Sequence, residues 1–99
     1  MTISKCVESD ERVTLKVSGR LDTNSAPELD TELKRSVEGI TELVFDLEGL
    51  EYISSAGLRV LLYAQKIMDK QGSMKLIHVS PVLMDIFEIT DFVSILTIE

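Results

Sequence analysis

Leu43-Val44-Phe45-Asp46-Leu47-Glu48-Gly49-Leu50-Glu51-Tyr52-Ile53-Ser54-Ser55-Ala56-Gly57-Leu58 carries the chain from a strand, through a turn, into a helix. The run from Leu43 to Leu47 is nearly all apolar, the pattern of an interior strand covered on both faces by helices and running parallel to its neighbour. From Ser55 to Gln71 apolar residues recur at helical spacing. Leu58, Leu61, Leu62 and Met68 share one side, with Val60, Ala64 and Ile67 beside them, and Gly72 stops the run. That apolar arc is broader than a surface helix needs.

Upstream, Val13, Leu15 and Val17 alternate with Thr14, Lys16 and Ser18, which is the period of a strand with one buried face. The segment Ile3 to Val7 is placed to pair with it across the polar Ser9-Asp10-Glu11, so an antiparallel hairpin is expected to open the chain. A polar loop, Arg20-Leu21-Asp22-Thr23-Asn24, leads into Ser25-Ala26-Pro27-Glu28, which has the S-x-x-E form of a capping box with proline in the first turn. Leu29, Leu33 and Val37 then give a helix one apolar stripe, and Gly39 is placed to end it. Downstream, Met74 to Val79 reads as a strand. Ser80-Pro81 supplies an N-cap and a first helical proline for a short helix with Val82, Leu83, Ile86 and Phe87 on its buried face. Val93 to Ile98 reads as a closing strand. The expected class is α/β, a mixed sheet with helices in the order β-β-α-β-α-β-α-β, its crossovers right-handed, forming one domain over residues 1–99.

Composition narrows the function. A formal charge of −7 is the wrong sign for a nucleic-acid surface, because phosphate backbones are held by clustered Lys and Arg. A single cysteine, Cys6, excludes an intrachain disulfide, and no apolar run approaches membrane-spanning length. The start, Met1-Thr2-Ile3-Ser4-Lys5, has no signal-peptide core, so the expected location is cytoplasmic.

The chemistry concentrates at Ser54-Ser55-Ala56-Gly57. A helix N-terminus presents unpaired amides and a partial positive charge, so it accepts either a serine cap or a phosphate carried on that serine. Local features leave both open. Gly57 has no side chain to obstruct close approach, and its helix-propensity cost of about 1 kcal/mol relative to Ala calls for a reason.

Ile53-Ser54-Ser55-Ala56-Gly57-Leu58-Arg59-Val60-Leu61-Leu62 resembles the signature turn of STAS domains, the family of bacterial anti-sigma factor antagonists. Gly19-Arg20-Leu21-Asp22 is similar to the family's G-x-L-D after the second strand, Val44-Phe45-Asp46-Leu47 to its central strand, and the element order agrees throughout. The resemblance implies the STAS fold and a phosphoacceptor at Ser55, two residues before the glycine. Sporulation-type members often carry Asp-Ser-Ser-Gly here, and Ser54 stands in the place of their aspartate. The resemblance further implies that Asp22 lies near the acceptor and helps engage the kinase, although by itself Asp22 reads equally well as a turn residue. Asn24 shares that loop. Ser54, Ser55, Ala56 and Gly57 complete the implied surface for partner and kinase.

Other chemistry is weaker in the sequence. His78, the only histidine, has no Cys or His partner at ligand spacing, so no metal site is expected. Cys6 reads as a small core residue. There is no G-x-x-x-x-G-K-[ST], which leaves ATP to another protein, and no G-x-S-x-G for a hydrolase. The resemblance therefore implies a cofactor-free binding switch without catalysis of its own. Unmodified, it binds an anti-sigma factor and frees a sigma factor; the anti-sigma factor's serine kinase activity modifies Ser55, and a PP2C-type phosphatase reverses the step. The alternative is a constitutive STAS subunit of a transport or stress-signalling complex, with the broad face of the second long helix as its permanent interface.

Overall fold

The computed structural model describes every residue from Met1 to Glu99. The alternation at the start forms the expected hairpin: β1 (Thr2–Val7) and β2 (Arg12–Leu21) pair antiparallel, with Ile3 opposite Val17 and Val7 opposite Val13. Ser9 holds the turn, its hydroxyl accepting from the amides of Glu11 and Arg12.

β2 is long enough to serve two partners. Its first half, Arg12 to Lys16, lies parallel to β3 (Glu42–Asp46), and its end, Gly19 to Leu21, lies parallel to β4 (Leu50–Ile53) after an irregularity at Gly19/Arg20. β5 (Ser73–Ile77) pairs parallel with β3 on the other side, which gives a five-stranded sheet ordered β1-β2-β3-β5, with β4 taking up β2 where β3 leaves off. Three helices complete the chain: α1 (Ala26–Ser36), α2 (Ser55–Gln71) and α3 (Pro81–Ile89). The mixed sheet and α/β class are as expected, and no helix is long and apolar enough to cross a membrane.

One cluster of 24 buried residues binds these elements. Val13, Leu15 and Val17 meet Leu43, Phe45, Met74 and Leu76 from the strands, and Leu29, Leu33, Leu61, Met68, Leu83 and Phe87 from the helices. Val44 is equally buried yet lies outside the cluster, because successive strand residues point to opposite faces. All three helices thus cover one face, and the expectation of helices on both faces is corrected. The opposite face carries Thr14, Lys16, Val44, Asp46 and Lys75. It also carries Cys6, opposite Thr14 in the hairpin and exposed where a core position was expected.

Three further expectations change. The closing strand does not form. Asp91 takes a left-handed φ of 62°, the chain tightens into a 3-10 turn at Phe92–Ser94, and Leu96 folds into the core while Val93 and Ile95 stay exposed. Only a single parallel bridge, Ile98 beside Leu76, remains of it. In compensation a strand appears where none was expected: β4 buries Leu50 and Ile53 but exposes Glu51 and Tyr52, so it carries no period-two signal. The observed order is therefore β-β-α-β-β-α-β-α. β5 also stops at Ile77, two residues short of Val79.

The capping signals divide. Ser80 caps α3 as expected, accepting from the Leu83 amide with Pro81 next in line. Ser25 instead donates to the Arg20 carbonyl at 2.8 Å and accepts from the Asp22 amide, so the expected capping box does not close. Most of the broad apolar arc of α2 is spent within the chain: Leu58, Val60, Leu61, Ala64 and Met68 are buried in the core, Ile67 packs against it half-buried, and Leu62 is half-buried outside it.

Gly72 is required by sterics alone. A Cβ there would lie 1.9 Å from the Thr41 carbonyl oxygen, which accepts from the Ser73 amide at 2.9 Å where β5 begins. Gly72→Ala is expected to lower unfolding stability by about 3 kcal/mol or more, because rigid backbone would have to move. Urea denaturation followed by circular dichroism measures this, and a wild-type midpoint would contradict it.

Candidate functional site

β2 and β4 run parallel and finish side by side at Leu21 and Ile53. The loops leaving them therefore emerge at the same end of the sheet. One holds Asp22 and Asn24, and the other becomes the N-terminus of α2. The Ser54 amide donates to the Leu21 carbonyl at 2.8 Å, joining the two exits directly.

Gly57 explains why α2 begins so close to the strands. A Cβ at this position would lie 2.7 Å from Leu21 Cγ and 2.8 Å from Ile53 Cγ1, well inside contact distance. The missing side chain lets the first turn rest on the two strand ends, which is the reason its helix-propensity cost is tolerated.

The two serines divide the work. Ser54 is the N-cap: its backbone is extended, and its hydroxyl accepts from the Gly57 amide at 3.3 Å. Ser55 is the first helical residue, and its side chain is exposed. With the cap supplied by its neighbour, the Ser55 hydroxyl has no structural task and stands at the positive end of the helix. Ala56 is half-buried between them and the buried Gly57.

Asp22 organises its own loop. Its Oδ1 accepts from the Asn24 amide at 3.0 Å, the Ser25 amide at 3.1 Å and the Ser25 hydroxyl at 3.2 Å. The Ser25 amide chiefly, then the Ser25 hydroxyl, the Asn24 amide and the charge of Arg20, hold the Asp22 carboxyl below its ordinary range against the opposing effect of burial. No hydrogen bond joins Asp22 to Ser54 or Ser55; what they share is a common end of the sheet. Asn24 is exposed and contributes its backbone amide to the Asp22 turn.

Two residues of this rim were not legible in the sequence. Arg20 and Tyr52 are register partners on β2 and β4, both exposed, and the guanidinium sits 4.3 Å from the ring centroid. Such a pair is a cation–π contact. Recognising it requires knowing that β4 exists.

The family model described as the STAS domain matches residues 4–99. A Bordetella bronchiseptica protein provisionally named an anti-sigma factor antagonist, BtrV, is 41% identical over 81 residues, spanning 80% of this chain and 70% of that protein. The anti-sigma-B factor antagonist of Bacillus subtilis is 33% identical over 100 residues, spanning 99% of this chain and 92% of its own. Among solved structures, the anti-sigma factor antagonist SpoIIAA in its unphosphorylated form superposes with a TM-score of 0.85 at 16% identity, covering 99% of this chain and 88% of that one. The phosphorylated form of the same Bacillus protein gives 0.77, again at 16% identity, with 99% and 91% covered. At that identity the superpositions speak for the fold.

Two outcomes follow from the geometry. Ser54→Ala is expected to cost about 1 kcal/mol through loss of the cap, whereas Ser55→Ala should stay within about 0.5 kcal/mol of wild type; equal losses in chemical denaturation would refute the division of labour. Asp22 has a folded pKa below its ordinary value near 3.8, so the stability its charge contributes is present above that pH and lost as pH falls through the folded value. Denaturation midpoints of wild type and Asp22→Asn should therefore differ at neutral pH and converge in the acid limb. A gap that is constant down to pH 2, or about that, would contradict this.

Proposed function

This chain belongs to the STAS domain family, and we propose that it is an anti-sigma factor antagonist whose hold on its partner is broken by phosphorylation of Ser55. The observation that carries the reading is the exposed Ser55 hydroxyl at the start of α2, left free because Ser54 supplies the cap. Relatives named as anti-sigma factor antagonists at 41% and 33% identity support the class of partner.

In the unmodified state the anti-sigma factor docks on the end of the sheet formed by Asp22, Asn24 and Ser54 to Gly57, and its sigma factor is released. The partner's serine kinase activity supplies ATP, since this chain has no phosphate-binding loop. Ser55 Oγ attacks the γ-phosphorus, ADP leaves, and the hydroxyl proton passes to a base of the kinase. Asp22 helps engage that kinase with the carboxylate oxygen its own loop does not use. A PP2C-type phosphatase hydrolyses the ester and restores the binding form. The chain itself is substrate and ligand in this cycle and performs no catalysis.

The modification acts by charge. A phosphate brings about −1.5 to −2 charges, which the amide-rich helix end tolerates, so the scaffold is kept. A partner surface fitted to a neutral hydroxyl has no counter-charge for it. Burying the anion unpaired costs about 3–5 kcal/mol by analogy with broken ion pairs, equivalent to roughly two to four decades in affinity. The constitutive-subunit alternative receives little support from α2, whose Leu58, Val60, Leu61, Ala64 and Met68 are already buried and whose Leu62 and Ile67 are half-buried.

Incubation with the cognate anti-sigma kinase and ATP should add one phosphate, located on Ser55 by fragment mass analysis. Ser55→Asp should bind the unphosphorylated protein's partner at least tenfold more weakly, or about that, with an unchanged circular dichroism spectrum. Phosphate confined to another residue, or wild-type affinity in Ser55→Asp, would overturn the proposal.

A further inference from the structure

α2 shows solvent a face whose charge runs against that of the chain. Ser55, Arg59, Leu62, Lys66 and Lys70 recur every three or four residues, with Tyr63 beside them, so all lie along one side of the helix. Arg59, Tyr63, Lys66 and Lys70 are exposed there, Tyr63 by 44%. Leu62 is half-buried and stands outside the core cluster. The charged part extends over about 16 Å of helix axis, from Arg59 to Lys70.

These cations are uncommitted. Arg59, Lys66 and Lys70 take part in none of the chain's ion pairs. The only acidic residue of α2, Asp69, accepts from the Gln65 side-chain amide at 2.8 Å. On the flank toward α1, Lys34 lies 5.8 Å from the Tyr63 ring centroid and is bound to Asp30 at 3.0 Å, so that carboxylate is taken too. A cavity of about 370 Å³ beside the stripe is lined by Tyr63, Lys66, Ile67, Lys70 and Gln71, with no acidic group among them.

The surrounding chain has 17 acidic residues against 10 Lys and Arg. A face that is basic where the remainder is acidic selects its partner by charge, and Leu62 and Tyr63 in its middle offer apolar area for that partner to cover. Three cations are too few to hold a polyanion by counterion release, and the net charge of −7 opposes approach to a nucleic acid or an anionic membrane. They suffice for a short protein segment with carboxylates on either side of an apolar side chain.

We propose that this face of α2 docks an acidic segment of the anti-sigma factor, with carboxylates on Arg59, Lys66 and Lys70 and an apolar side chain over Leu62 and Tyr63. The partner's identity rests on the antagonist reading given above, whereas the chemistry of the segment comes from α2 itself. The contact is thereby extended from the end of the sheet along the helix, and the modification gains a second target. Ser55 stands one turn before Arg59 on the same side, so a phosphate placed there takes up Arg59 and meets the partner's carboxylates with like charge.

The test measures association of the full chain with the anti-sigma factor by biolayer interferometry. Lys66→Glu should weaken binding about tenfold or more, chiefly through slower association, and Lys66→Gln by an intermediate factor. Lys5→Glu makes the same change in net charge at an exposed position on β1 and should weaken binding about twofold or less. Raising the salt from about 0.05 to about 0.5 M should narrow the gap between Lys66→Glu and wild type. Equal losses in Lys66→Glu and Lys5→Glu, or wild-type affinity in Lys66→Glu, would overturn the docking site and leave the antagonist reading standing. Failure of the wild type to bind the anti-sigma factor would overturn both. Self-association, or capture by phosphatidylserine vesicles, that is present in wild type and lost in Lys66→Glu would assign the face to a second copy or to a membrane, and the proposal would fall.

Discussion

The parallel pairing of β2 with two successive strands is the constraint on which the remainder depends. β3 occupies the first half of β2 and β4 the second, so Leu21 and Ile53 finish level with each other. Gly57 then lets α2 start directly on those two side chains. Were any residue with a Cβ to occupy that position, the helix would lift, and the loop carrying Asp22 would lose its neighbour. The candidate surface is thus a product of strand register, one missing methyl group and the Ser54 amide's hydrogen bond to the Leu21 carbonyl, with no bond from Asp22 to either serine.

That arrangement separates what folds the protein from what signals. Ser54 caps the helix, Asp22 ties its own loop, and most of the apolar face of α2 packs into the core. Ser55 does none of this. A group added to its hydroxyl meets solvent and helix amides, and it displaces no packed atom. Ser54 is neutral, so the cap adds no charge of its own to the helix end where Ser55 stands.

The helices and the first hairpin were legible because their apolar residues keep strict periods. Leu29 and Leu33, Leu58, Leu61 and Met68, and Val13 to Val17 were read on the faces they occupy, whereas Leu62 is half-buried outside the core and Val82, expected on the buried face of α3, is exposed. The failures have physical causes. β4 buries its two ends and exposes its middle, so a four-residue strand leaves no alternation to detect. The segment after Asp91 alternates Val93 and Ile95 in sequence, but the left-handed turn at Asp91 directs Phe92 and Leu96 inward instead. Ser25 had the spacing of a capping box, yet the Arg20 carbonyl and the Asp22 loop claimed its hydroxyl first. At the site, Ser54, Ser55 and Gly57 were recognisable as a strand-to-helix turn, and resemblance supplied the choice of Ser55. Arg20 with Tyr52 depends on register between β2 and β4 and was beyond any local pattern.

The central claim is that charge placed on Ser55 alters a surface and leaves the fold alone. Its most direct test is a comparison of backbone amide spectra of the ¹⁵N-labelled protein before and after stoichiometric phosphorylation. Chemical-shift changes confined to the Asp22–Ser25 loop and the first turns of α2 are the result this account requires. Changes spreading through β3, β5 and the core-facing residues of α1 would mean that the phosphate remodels the scaffold, and the account would fail.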